Sequence, residues 1–186
     1  MSALLRFDDV ALVRGGRLLF EGLRIELLAG EAMQVAGPNG SGKSSLIRLA
    51  AGLLTAERGT VERASAALAD DHVALDRELT LDRALAFWAT DRSRVAPVLA
   101  AWGIGDLADV PVRLLSSGQL KRATLARVDS SDARLWLLDE PLNALDRDGS
   151  ERLAARIAAH RLAGGAVLAA SHLPLSGDWR RVELGA

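Results

Sequence analysis

The sequence predicts an α/β fold: a mainly parallel core sheet with an N-terminal antiparallel β part and a small helical subdomain. Short unbroken apolar runs of strand length stand at Met33–Ala36, Leu135–Leu138 and Ala166–Ala170. A glycine-rich turn joins the first of them to a helix-forming run, and a second helix-forming run separates the other two. Strands that are apolar without alternation are buried on both faces, which is what helices packed on either side of a parallel sheet produce. The chain of 186 residues, 49% hydrophobic and 25% charged, has the length and composition of one folded unit spanning residues 1–186.

In chain order, Leu4–Val13 and Leu23–Leu28 carry alternating or β-branched apolar residues on either side of Gly15-Gly16, and predict an antiparallel pair. Met33–Ala36 is a strand, and Ser44–Ala51 a helix after the glycine-rich turn. From Leu79 to Trp102 most residues are helix formers, with Leu81, Leu85 and Trp88 at helical spacing and Gly103 and Gly105 closing the segment. This predicts a helical subdomain over about residues 76–128, in which Trp88 and Trp102 are either core residues, the reading that helical spacing favours, or part of an exposed partner groove. After the strand Leu135–Leu138, a helix from about Arg147 is expected to bury Leu153, Ala154, Ile157 and Ala158. His160, on that helix with no partner motif, is expected at the surface. Ala166–Ala170 is another core strand and Arg181–Leu184 a last edge strand.

Composition excludes several functions. The 23 basic and 24 acidic residues leave a formal charge of −1, so no overall positive field draws nucleic acid or anionic lipid, and no nucleic-acid partner is expected. Without cysteine there are no disulfides, thiolate metal sites or cysteine nucleophiles, which fits a reducing compartment. No apolar run is long enough to cross a bilayer, and Arg6, Asp8 and Asp9 interrupt the N-terminal run where a secretory signal would lie.

Gly37-Pro38-Asn39-Gly40-Ser41-Gly42-Lys43-Ser44 has the spacing G-x-x-x-x-G-K-[ST] between a strand and a helix. Glycines let the backbone wrap with its N–H groups inward, and the helix adds the positive end of its dipole, so polyphosphate oxygens meet donors from several directions. Lys43 is expected to reach the β- and γ-phosphates, Ser44 to place a hydroxyl on Mg²⁺, and Ser45 to lie in the same nucleotide cradle. Leu135–Leu138 then runs into Asp139 and Glu140. In a parallel sheet this strand end lies beside the phosphate loop. Asp139 is expected to hold Mg²⁺, leaving Glu140 as the general base for the water that attacks the γ-phosphate.

Leu115-Ser116-Ser117-Gly118-Gln119, ahead of a helical run with Lys121, Arg122 and Arg127, resembles the signature of ABC-transporter ATPases, with Ser117 where that family carries glycine. The resemblance implies ATP and Mg²⁺ as ligands and a head-to-tail homodimer formed on ATP binding. In that dimer Ser116, Ser117, Gly118 and Gln119 cap the γ-phosphate held by the other subunit. Asn143-Ala144-Leu145-Asp146 looks like the segment that crosses the dimer interface, and His172 like the switch histidine that meets γ-phosphate. The family's adenine-stacking aromatic is replaced by Arg14, which is expected to meet the base. Its metal-linking glutamine is replaced by His72, expected to offer a ring nitrogen to a metal-bound water.

Arg14 to Phe20 and the run through the phosphate loop most resemble the ATP-binding subunits of the haem exporters of cytochrome c biogenesis. That implies a peripheral protein on the cytoplasmic face of the inner membrane, coupled to integral-membrane permease subunits through the segment near Asp76–Trp102. Haem would be handled by the complex rather than bound to this chain. An ABC ATPase for another substrate and a small phosphate-loop kinase are the alternatives.

Overall fold

Strand β1 (Ala3–Arg14) forms a hairpin with β2 (Arg17–Leu28), because Gly15 and Gly16, at φ 55° and 75°, supply the left-handed turn that joins them. The computed structural model describes residues 3–72 and 74–185. After β3 (Ala32–Ala36) and α1 (Lys43–Ala50), β4 (Arg58–Arg63) returns to the free edge of β1, giving an antiparallel sheet ordered β2-β1-β4. Strands β5 (Ala66–Ala69), β6 (Leu135–Asp139), β7 (Ala166–Ala170) and β8 (Arg180–Glu183) join β3 in a parallel sheet ordered β5-β6-β7-β3-β8. Helices α2 (Leu81–Ala86), α3 (Val95–Ala101) and α4 (Ser117–Ser130) lie between β5 and β6 in sequence, and α5 (Arg147–Leu162) connects β6 to β7.

The two-residue side-chain period of β6 divides its residues between two cores. Leu135 and Leu137 join Phe7, Leu27, Ile47 and Leu168 between the two sheets and α1. Trp136 and Leu138 join Leu85, Leu99, Trp102 and Leu153 beneath the other helices. Burial on both faces explains why β3, β6 and β7 read as continuous apolar runs.

Several expectations need correction. Strand β2 begins at Arg17 rather than Leu23. Strands β4 and β5 add to the expected set: half of RGTVER is charged and AALA lacks β-branched residues, so neither carries a strand signal. The Leu79–Trp102 segment is broken into α2, which ends at Ala86, and α3; between them Asp91 caps a new helical turn, its carboxylate accepting from Ser93 N (2.9 Å) and Ser93 Oγ (2.7 Å). Trp102 is buried as expected, but Trp88 is 40% exposed, its indole N–H donating to Ala74 O at 3.1 Å. On α5, Leu153 and Ile157 are buried while Ala154 is half-buried and Ala158 exposed. His160 is half-buried, its ring stacked on Trp136 with centroids 4.1 Å apart.

Parallel register gathers the strand ends that carry the chemistry. Asp139 pairs with Ala170, Val35 also pairs with Ala170, and Ala69 pairs with Leu138. The segments after β3, β5, β6 and β7 therefore leave the sheet along one edge, the usual place for ligand sites in α/β folds.

Candidate active site

The loop after β3 turns on Gly37, Gly40 and Gly42, at φ 141°, 80° and 100°. A Cβ on Gly37 would stand 2.4 Å from Leu184 O and 2.8 Å from Ser41 Oγ, so only glycine fits there. Lys43 is almost fully buried, and its ammonium donates to Gly37 O at 2.8 Å and Pro38 O at 3.0 Å. Ser41 Oγ is buried without a hydrogen-bond partner among the described residues. A buried hydroxyl left unspent beside a lysine and a helix N-terminus fits an oxyanion as its partner.

Ser44 Oγ donates to Asp139 Oδ1 at 3.0 Å, joining the first turn of α1 to the end of β6. Burial pushes the Asp139 carboxyl above the usual carboxylate range, against the opposing pull of the Ser44 hydrogen bond, and the charge of Asp71 adds to the upward shift. A hydroxyl and a carboxylate are hard oxygen donors and fit Mg²⁺.

Glu140 has φ 45°, an uncommon backbone state for a residue with a side chain, held by its N–H donating to Ala170 O at 2.8 Å. Its Oε2 lies 2.8 Å from His172 Nδ1, so the proposed base and the histidine after β7 form a pair. Gln34 positions that histidine's loop: its side-chain amide donates to Ser171 O (3.1 Å) and Leu173 O (2.9 Å). Sequence reasoning passed over Gln34, although a lone amide inside the apolar strand Ala32–Ala36 was a visible signal.

Asn39, Gly40, Gly42, Lys43, Ser44 and Ser45 line one cavity of about 530 Å³ together with Arg14, Leu19 and Glu140. Ser116, Gly118, Gln119 and Asp146 line a different cavity of about 370 Å³, with no lining residue in common with the first. There Ser116 caps α4, its Oγ accepting from Gln119 N at 3.3 Å while Gln119 Oε1 accepts from Ser116 N at 2.9 Å. Ser116 and Ser117 are exposed at this helix start. A Cβ on Gly118 would stand 3.1 Å from Ala144 O, and Ala144 itself has φ 64°. Asp146 spends its carboxylate within the chain, capping α5 at Gly149 N (2.8 Å) and pairing with Arg122; both contacts hold it below the usual range.

His72 makes no hydrogen bond or ion pair with Ser44 or Asp139. Its ring is 79% exposed and lies on Asp70, whose carboxylate accepts from His72 N at 3.0 Å and sits 3.2 Å from Nδ1. It lines a third cavity, with Arg48, Trp88 and Arg127. The turn after β5 instead brings the charge of Asp71 to bear on Asp139.

The ABC transporter family model matches residues 20–143. The cytochrome c biogenesis ATP-binding export protein CcmA of Sphingopyxis alaskensis is 52% identical over 181 residues, covering 95% of this chain and 93% of the relative. The protein of the same name from Novosphingobium aromaticivorans is 56% identical over 170 residues, covering 90% and 88%. Among solved structures, an ATP-binding subunit of an ABC transporter superposes with TM-score 0.84 at 22% identity, over 91% of this chain and 80% of that one. These matches set aside the kinase alternative, and the chain belongs to the ABC transporter family, among its CcmA-like members.

Proposed function

We propose that this chain is the ATP-hydrolysing subunit of an ABC exporter that serves cytochrome c biogenesis, working as a head-to-tail homodimer. One observation supports the dimer most: the phosphate loop with Glu140 and the signature residues line separate cavities. Each half needs its counterpart from another copy to enclose a triphosphate.

In this reading the residues 1–186 act as one nucleotide-binding unit, and the phosphate loop with Lys43 holds the β- and γ-phosphates of ATP. Mg²⁺ held by Ser44 and Asp139 would supply positive charge against those phosphates. Glu140 accepts a proton from the water whose oxygen bonds to the γ-phosphorus as the bond to the ADP oxygen breaks. His172, 2.8 Å from Glu140 Oε2, orients that carboxylate. Ser116, Ser117, Gly118 and Gln119 of one copy face the γ-phosphate of the other, through the open N-terminus of α4. Asp146, paired with Arg122, braces the crossing segment against that helix.

Partnership with membrane permease subunits follows from the family. The helical part, about residues 76–128, carries the surface suited to them: Phe87 is 80% exposed beside half-exposed Trp88, next to the groove lined by Arg48, His72 and Arg127. No helix among the described residues is long and apolar enough to cross a membrane. In this reading, as the ATP-binding partner of the permease subunits, the chain works peripherally on the cytoplasmic face. Export of haem, or release of its chaperone, rests on the names of the relatives and is assigned to the complex.

Glu140→Gln tests the mechanism. At saturating MgATP the variant should sediment as a dimer, with turnover lowered about 10²- to 10⁴-fold, the usual contribution of a general base. A variant that stays monomeric refutes the shared-site reading. Co-purification with a membrane protein of the cytochrome c assembly machinery tests the exporter assignment, and its absence counts against it.

A further inference from the structure

Resting on the shared-site reading, the helix that presents the signature is aimed by side chains far from it. The signature stands at the N-terminus of α4, and the other end of that helix carries Asp129, a carboxylate almost fully buried. Asp129 Oδ2 accepts from Arg156 Nε at 2.6 Å and from Trp102 Nε1 at 3.0 Å, while Oδ1 accepts from Arg156 Nη2 at 2.9 Å. Trp102, at the C-terminal end of α3, is held from its other side as well, its carbonyl accepting from Arg122 Nη1 at 3.2 Å. Asp148, Arg152 and Arg156 follow one another at four-residue spacing and so share a face of α5. Arg152 donates to Asp148 at 2.8 Å and to Ala101 O at 3.0 Å, and Arg122 reaches the same Asp148 at 2.7 Å. A row of polar contacts thus ties α4 to α5 at two points, with the end of α3 clasped between them.

The apolar residues of α4, Ala123, Leu125, Ala126 and Val128, are buried. Their contacts hold the helix against the core without fixing its direction, because the hydrophobic effect is not directional. Charge-assisted hydrogen bonds are directional, so Arg122 and the bidentate Arg156 give α4 two fixed points. Arg122 lies six residues from Ser116 and seven from Asp129, arms of about 10 Å each at the helical rise per residue. A helix that pivots at Arg122 therefore moves its signature by as much as it moves Asp129, in the opposite direction. A misplacement of about 1 Å at a reacting centre costs up to about 100-fold in rate.

We infer that Arg156 and Trp102 are positioning residues for hydrolysis: through Asp129 they set the angle of α4, and with it the place of Ser116, Ser117, Gly118 and Gln119 against the γ-phosphate held by the other copy. Their effect then falls on the partner copy's ATP rather than on the ATP bound by their own phosphate loop.

Phosphate release from mixed copies of the full chain tests this. Arg156→Lys keeps the charge and loses the bidentate geometry, and its turnover should fall about tenfold. Mixed one to one with Lys43→Ala, which keeps a sound signature, random pairing should raise phosphate release about fivefold above that of the same amount of Arg156→Lys alone. Mixed with Ser116→Arg, whose signature is spoiled, it should show no such rise. Damage to its own phosphate loop would give the reverse pattern, and a general loss of fold would be rescued by neither partner. Trp102→Phe removes one donor to the same carboxylate without touching a charge and should repeat the pattern, so the test stands even where Arg156→Lys does not fold. Full turnover in both variants, rescue by Ser116→Arg, or no rescue by Lys43→Ala overturns the inference when Lys43→Ala and Ser116→Arg still complement each other. If those two fail to complement, the shared site falls and this inference falls with it.

Discussion

Asp139 is almost fully buried, and burial holds its carboxyl above its ordinary pKa. A carboxyl with a raised folded-state pKa binds more protons folded than unfolded. Its charged form therefore costs stability, and the cost grows as pH rises from the unfolded pKa through the folded one. Asp139→Asn keeps an acceptor for Ser44 and removes that cost. At pH 7 the nucleotide-free variant should melt roughly 2–4 °C higher, about 1 kcal/mol for a chain of this size, while losing Mg²⁺-dependent turnover; thermal scans and phosphate release measure both. The residue beside it stores backbone strain at φ 45°, and Gln34 supports the loop that meets it. Gln34→Leu should lower kcat about tenfold with KM for ATP nearly unchanged, because it loosens His172 without touching the phosphate loop. An unchanged kcat would remove Gln34 from the machinery. The roles proposed for Lys43, Ser44, Asp139 and Glu140 come from motifs a few residues long. Gln34 could not, because its task depends on a loop 137 residues away in sequence.

At the scale of elements, α5 is seated on β6 by the His160–Trp136 stack, with His160 Nε2 3.2 Å from Arg134 O. Burial lowers the His160 pKa from its ordinary 6.5. The folded protein then holds fewer protons than the unfolded chain in the interval below 6.5. Stability is complete above that pH and falls as the pH drops through it towards the folded value. His160→Phe keeps the stack and should flatten this acid limb in urea titrations between pH 7 and 5. A limb unchanged from wild type would place the titration elsewhere. A second seam joins α3, α4 and α5: buried Asp129 accepts from Trp102 Nε1 at 3.0 Å and from Arg156 at 2.6 and 2.9 Å. Asp129→Ala leaves a guanidinium and an indole N–H without their acceptor and should cost about 3–5 kcal/mol by denaturant unfolding. Apolar periodicity located β3, β6, β7 and α5, but it missed β4, which is half charged, and β5, which has no β-branched residue. It also favoured the core for Trp88, although that indole lies under the Arg127 guanidinium, 4.8 Å from the ring centroid, at the rim of a groove.

Across the whole molecule, the division of the site makes complementation a direct test. Lys43→Ala lacks a working phosphate loop and Ser116→Arg a working signature, so each alone should show little turnover. Mixed together they form heterodimers with one intact composite site, and phosphate release should rise above that of either variant. A mixture no more active than its components would count against a shared site. Short motifs by themselves determined the phosphate loop, the acidic strand end and the signature, because each depends on residues within about one turn of chain and on a local strand or helix boundary. Tertiary structure alone decided which partners the side chains take. It turned His72 onto Asp70, committed Asp146 to Arg122, and set Glu140 beside His172. The last two outcomes depend on parallel register and helix packing between segments 24 and 32 residues apart, where spacing along the chain carries no information about distance in space, whereas the first is set within the turn after β5.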